Sequence, residues 1–112
     1  MGEVNPQQLS WKAMAVKGFE GKGLIDLSGG GLKMVRLQPG ATYPVHQHPE
    51  KTEFAFVLEG TLEATVADQV YIGQRGMFYS FPVGIQHGLR NPSEEETVLL
   101  VGAIKDTESL ES

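Results

Sequence analysis

Three histidines and one glutamate are the residues of this chain whose types and spacing suit chemistry. His46, His48 and His87 all fall between Gly40 and Asn91, and the first two are separated by a single residue in His46-Gln47-His48. On a β-strand, residues two apart point to the same side and lie about 6.6 Å apart, so two imidazoles on one wall can converge on one cation. Pro49 interrupts that strand, a turn follows through Glu50 and Lys51, and Glu53 re-enters the next strand, where its carboxylate can stand opposite the pair. His87, on a later strand, would close the site from another wall. Three neutral imidazoles and a carboxylate suit one divalent transition metal ion: iron, manganese, nickel, cobalt, copper or zinc. Such an ion keeps positions for water, substrate or dioxygen and acts as a Lewis acid. Any one histidine taken alone is more often a surface or hydrogen-bonded residue than a ligand, so the surrounding glycines and prolines carry the decision.

The elements that must position these side chains read as strands. The chain has 112 residues, room for a single domain over 1–112, with 14 glycines and 6 prolines. Glycine and proline recur about every ten residues between β-branched and aromatic segments, which predicts an all-β sandwich or barrel. Strands are expected at Trp11–Val16, Leu32–Leu37, Thr42–His46, Glu53–Leu58, Thr61–Val66, Val70–Ile72, Met77–Phe81, Gly88–Arg90 and Thr97–Ile104. Ser28-Gly29-Gly30-Gly31 reads as a flexible turn, and 105–112 as an acidic tail that frays. Leu62, Ala64 and Val66 fall on one face of their strand. Phe54–Leu58 is apolar on both faces, which predicts either full burial or a second subunit against one face.

Composition excludes several classes. There is no cysteine, which removes disulfides, thiolate zinc sites and cysteine nucleophiles. Lys and Arg total 9 against 14 for Asp and Glu, a formal charge of −5 with no basic run, which argues against nucleic acid and anionic membrane as partners. No apolar stretch approaches the roughly 20 residues of a membrane span. Met1–Ser10 lacks the blocks of a signal peptide, so a cytoplasmic location is expected.

Two segments carry a resemblance. Gly40 to Gly60 reads G-x5-H-x-H-x4-E-x6-G, and Gly76 to Asn91 reads G-x5-P-x-G-x2-H-x3-N. These resemble the two motifs of the cupin superfamily at every fixed position, and the short stretch Thr61–Arg75 between them resembles that of compact single-domain cupins. The resemblance implies a double-stranded β-helix, or jelly-roll barrel. It also implies that His46, His48, Glu53 and His87 are four metal ligands, and that Gly40, Gly60, Gly76 and Gly84 are turn glycines. Asn91 reads as a structural residue that bonds its own turn.

Counting alternation outward from Glu53 and His87 puts mostly small or apolar residues beside the ligands, which favours a modest organic molecule as partner. Arg36, as a carboxylate clamp, and Tyr79, as a hydrogen-bond or proton donor, are the candidate substrate-binding residues; Met34 shares a face with Arg36, so the two enter or leave the pocket together. No serine–histidine or histidine–aspartate pair suggests nucleophilic catalysis, and no catalytic residue beyond the ligands stands out. The expected function is that of a metal-dependent enzyme on a small organic substrate: an oxidoreductase of the dioxygenase type first, an isomerase or decarboxylase next. A non-catalytic binding or sensing module with a structural metal is the alternative. A homodimer is expected from family habit and from the Phe54/Phe56/Leu58 face.

Overall fold

The computed structural model describes residues 2–106. It contains ten strands after a short 3-10 turn at Pro6–Gln8: β1 (Lys12–Ala13), β2 (Phe19–Leu27), β3 (Gly30–Leu37), β4 (Thr42–His46), β5 (Lys51–Glu59), β6 (Thr61–Val66), β7 (Gln69–Gln74), β8 (Phe78–Phe81), β9 (His87–Arg90) and β10 (Thr97–Lys105). They form a six-stranded sheet in the order β1-β2-β3-β10-β5-β8 and a four-stranded sheet in the order β4-β9-β6-β7, with every pairing antiparallel. This is the expected jelly roll.

Period-two alternation packs the two sheets together. Val35 and Leu37 of β3, Ala55 and Val57 of β5, Leu62 and Ala64 of β6, and Leu99 of β10 are all buried, and they meet Phe19, Tyr79 and Phe81 in one core. Each large apolar side chain hidden in this way contributes about 1.5–3 kcal/mol. Phe54, Phe56 and Phe78 take the opposite parity on the outer face of the larger sheet, where Phe78 stacks on Phe54 at 5.5 Å between ring centroids. The four expected turn glycines all have positive φ, between 77° and 96°. Gly60 has a second constraint: a Cβ there would lie 2.7 Å from the Glu96 carbonyl oxygen and 3.0 Å from Thr97 Cα, so the β5–β6 corner admits only glycine.

Three expectations change. The chain forms a nine-residue strand, β2, across Phe19–Leu27, where none was expected, while Trp11–Val16 contributes only Lys12–Ala13. Glycines at 21 and 23 erase the side-chain pattern of β2, and pairing with β3 supplies its stability. Gly30 and Gly31 belong to β3, which confines the β2–β3 turn to Ser28 and Gly29. Of the expected tail, Lys105 ends β10 and the Asp106 N–H donates to the Glu50 carbonyl; residues 107–112 lie outside the described residues.

Candidate metal centre

Three of the four expected ligands meet between the sheets. His46, the last residue of β4, is the cross-strand partner of His87, the first residue of β9, and their rings lie 4.3 Å apart between centroids. Glu53 reaches them from β5 in the other sheet. Its Oε1 lies 3.1 Å from His87 Nε2 and 3.6 Å from His46 Nε2. Aromatic packing fixes both imidazoles. Phe81, the cross-strand partner of Glu53, stacks on His87 at 4.4 Å with 7° between planes, and Tyr43 lies 4.8 Å from His46. His87 is 3% exposed and His46 35% exposed, so the cluster grades from core to solvent.

The hydrogen bonds of these rings decide what the cluster can hold. His46 Nδ1 lies 3.0 Å from the Pro44 carbonyl and His87 Nδ1 lies 3.1 Å from the Ile85 carbonyl. A carbonyl only accepts, so each Nδ1 carries the hydrogen and each neutral ring presents a bare Nε2. Glu53 Oε1 is buried and accepts no conventional hydrogen bond. Two imidazole lone pairs and a carboxylate oxygen therefore face one another with no hydrogen between them, and these three ligand atoms lie within 4.8 Å of one another. A cation relieves that arrangement. A metal ion fits; in its absence a proton on His87 turns the 3.1 Å contact into a charged hydrogen bond.

The direction of the pKa shifts follows. Without metal, the hydrogen bond that a protonated His87 makes holds the Glu53 carboxyl below its usual range; burial opposes this, and the nearby histidines reinforce it. At His87, burial alone would lower the pKa, but the bond to Glu53, the Ile85 carbonyl and the Glu53 charge together raise it. A depressed carboxyl stabilises the fold above its ordinary value, 4.5, and that contribution is lost as pH falls through the folded-state pKa. A raised histidine stabilises the fold below its ordinary value, 6.5, and that contribution is lost as pH rises through the folded-state pKa. Melting of metal-free protein across pH should therefore show greatest stability from this pair between 4.5 and 6.5. His87→Asn should flatten that maximum, and an unchanged profile would contradict the pairing.

His48 is not part of the cluster. β4 stops at His46, so the two histidines do not share a strand wall as their spacing predicts. Pro49 cannot donate to a ladder and turns the chain, and the turn engages the imidazole: His48 Nδ1 accepts the backbone N–H groups of Glu50 at 3.2 Å and Lys51 at 3.1 Å. The His48 carbonyl accepts the Gly84 N–H at 3.0 Å, tying the loop before β5 to the loop before β9. The ring itself stands at the mouth.

The two expected substrate-binding residues lie elsewhere. Arg36 points out of the sandwich because Val35 and Leu37 point in; its Nε donates to Glu20 at 2.7 Å, and its guanidinium lies 4.6 Å from the Trp11 ring centroid. Tyr79 faces inward but one step deeper than the cluster: it pairs with Ala55 where Phe81 pairs with Glu53, and it packs in the core near Tyr71. The residue the count missed is Lys33. It shares the inward parity of Val35 and Leu37, and it lines an inner cavity of about 110 Å³ together with His46, Glu53, His87, Tyr43 and Met14. An outer cavity of about 480 Å³ shares Lys33, Glu53 and Val101 with it and adds His48, Lys51 and Asp26 at the mouth.

Comparison with known proteins agrees with this geometry. The cupin domain family profile matches residues 33–102. Germin-like protein 1-1 of Oryza sativa subsp. japonica is 34% identical over 94 residues, 78% of this chain and 41% of the relative. The chain spans less than half the length of the curated relatives it matches. Among solved structures, one described as a predicted oxalate decarboxylase from Thermotoga maritima superposes with a TM-score of 0.86 at 16% identity, covering 93% of this chain and 99% of that one. The polyketide cyclase RemF from Streptomyces resistomycificus superposes with a TM-score of 0.81 at 22% identity, covering 93% of this chain and 79% of that one. At these identities the structural likeness concerns the fold. Among the described residues, no helix is long and apolar enough to cross a membrane.

Proposed function

Because the chain belongs to the cupin family, we propose that it is a metal-dependent enzyme acting on a small organic molecule, with oxygenation the leading reaction and isomerisation or decarboxylation next. The observation that carries this reading is the set of three facing lone-pair atoms on His46, Glu53 and His87, which has no donor of its own. A bound divalent metal would supply Lewis acidity and open coordination positions there. The chain's own residues do the rest. The carbonyls of Pro44 and Ile85 hold both imidazoles in the tautomer that ligates through Nε2. Phe81 and Tyr43 keep the rings from turning. Met14, Phe19, Val35, Leu89 and Val101 make the inner cavity largely apolar, which excludes bulk water and admits an apolar portion of a substrate. In this reading His48 completes the ligand set from the mouth once its ring exchanges the turn bonds for the ion.

One observation favours a second reading, a binding or sensing module. Among the described residues lining the inner cavity, Glu53 is the sole carboxylate and no histidine stands outside the cluster, so no separate acid–base group serves a reaction except Lys33 or Tyr43. Incubating enols, catechols and 1,3-diketones with Fe(II)-, Mn(II)- and Ni(II)-loaded protein, in air and without oxygen, separates the two. Oxygen uptake matched to substrate loss supports the enzyme. A ligand that raises the melting temperature with no metal giving turnover supports the module.

We further propose that the protein forms a homodimer. Support comes from the outer face of the larger sheet, where Phe54 stacks on Phe78 and where Ile25, Phe78 and Ile104 are at least half exposed.

A further inference from the structure

The cavity has a charge that the metal cluster leaves unmatched. Lys33 lies on the inward face of β3, and its cross-strand partners are Gly23 on β2 and Val101 on β10, neither of which offers a carboxylate. Among the described residues, no carboxylate lies within ion-pair distance of its ammonium. Asp26 faces the same mouth but makes no ion pair with Lys33 or Lys51, and Glu53 is committed to the histidines. Among the described residues, Lys33 is also the one basic side chain lining both the inner and the outer cavity. A molecule occupying both cavities lies beside this side chain.

We propose that Lys33 binds the anionic end of a small organic acid whose other end is held at His46, Glu53 and His87. This names a substrate class, a short-chain carboxylate with a second oxygen-bearing end, and it rests on the proposed metal centre for that second end. Lys33 is itself solvent-exposed on β3, and its ammonium can reach an incoming carboxylate with a charge-assisted hydrogen bond. The inner cavity that Lys33 and the cluster both line is largely apolar, which suits the carbon chain between the two ends.

The test compares two probes that differ in one carboxylate: 2-oxoglutarate, and 2-oxopentanoate, which has the same chain length and no distal charge. Both are titrated by calorimetry into wild-type, Lys33→Met and Lys33→Arg proteins, each with and without Mn(II), and bound metal is measured separately. Wild-type protein should prefer 2-oxoglutarate by about tenfold or more, Lys33→Met should bring the two within about twofold, and Lys33→Arg should retain the preference. Bound Mn(II) should be equal in all three. A preference that survives in Lys33→Met overturns the proposal, as does a wild type with no preference in either form. The two readings fail separately. Wild-type protein that takes up no Mn(II) yet prefers the dicarboxylate through Lys33 removes the metal centre alone. Protein that binds Mn(II) one-to-one and ignores the second carboxylate removes the role of Lys33 alone.

Discussion

His87→Ala should abolish stoichiometric metal binding, with Mn(II) per chain falling from about one to about a tenth or less by elemental analysis, while circular dichroism stays β-rich. The size of this effect follows from position. His87 is the deepest member of the cluster, it touches Glu53 directly, and Phe81 stacks flat on it, so no other side chain can take its place. Removing the imidazole also leaves the buried Glu53 oxygen with one facing lone pair in place of two, which weakens the demand for a cation. His48→Ala should behave differently. Its ring bonds a turn outside the cluster, so the variant should still reach about one Mn(II) per chain at saturation, with affinity lower by about 10–100-fold. Equal and complete loss in both variants would mean that His48 is as central as His87, and full occupancy in His87→Ala would remove the site.

The second large effect is on stability. Asn91→Asp should destabilise the fold by about 3–5 kcal/mol at neutral pH, lowering the melting temperature by about 12 °C or more. Asn91 is fully buried, and its amide group serves both directions at once. Nδ2 donates to the carbonyls of Leu37 at 3.0 Å and Glu95 at 2.7 Å, while Oδ1 accepts from Ser93 N–H at 3.0 Å and Ser93 Oγ at 2.8 Å. An aspartate keeps the shape but turns a negative oxygen toward two carbonyl oxygens. Acid should narrow the difference from wild type, because a protonated carboxyl can donate one of the two lost bonds. Melting curves at neutral and acidic pH measure this directly, and a shift of only a degree or two would show that the network is not what locks the corner before β10.

The fold was legible wherever side chains alternate. Leu62 and Ala64, or Ala55 and Val57, announce a buried face through their own chemistry, and the turn glycines stand where φ must be positive. β2 was illegible because glycines at 21 and 23 have no side chain to alternate, and its strand character comes from its neighbour. At the site, His46, Glu53 and His87 were readable from spacing because each sits in or at the end of a regular strand. The shared strand wall expected for His46 and His48 does not form, because the rule for residues two apart presumes a strand running through both, and β4 stops at His46. Arg36 was expected in the pocket through a parity choice on β3. The apolar pair Val35 and Leu37 marks the inward face, and that face carries Lys33, not Arg36.

Trp11 is the sole tryptophan of the chain. Its indole lies 4.4 Å from Lys22 Nζ and 4.6 Å from the guanidinium carbon of Arg36, on the outside of the larger sheet, and the same ammonium donates to the Pro6 carbonyl at 2.8 Å. Intrinsic fluorescence is therefore a gauge of how the first dozen residues are moored to that face, far from the cluster. Salt, which loosens cation–indole contacts, will shift the emission while the barrel stays intact, and an emission-monitored titration will record the release of the mooring ahead of global unfolding.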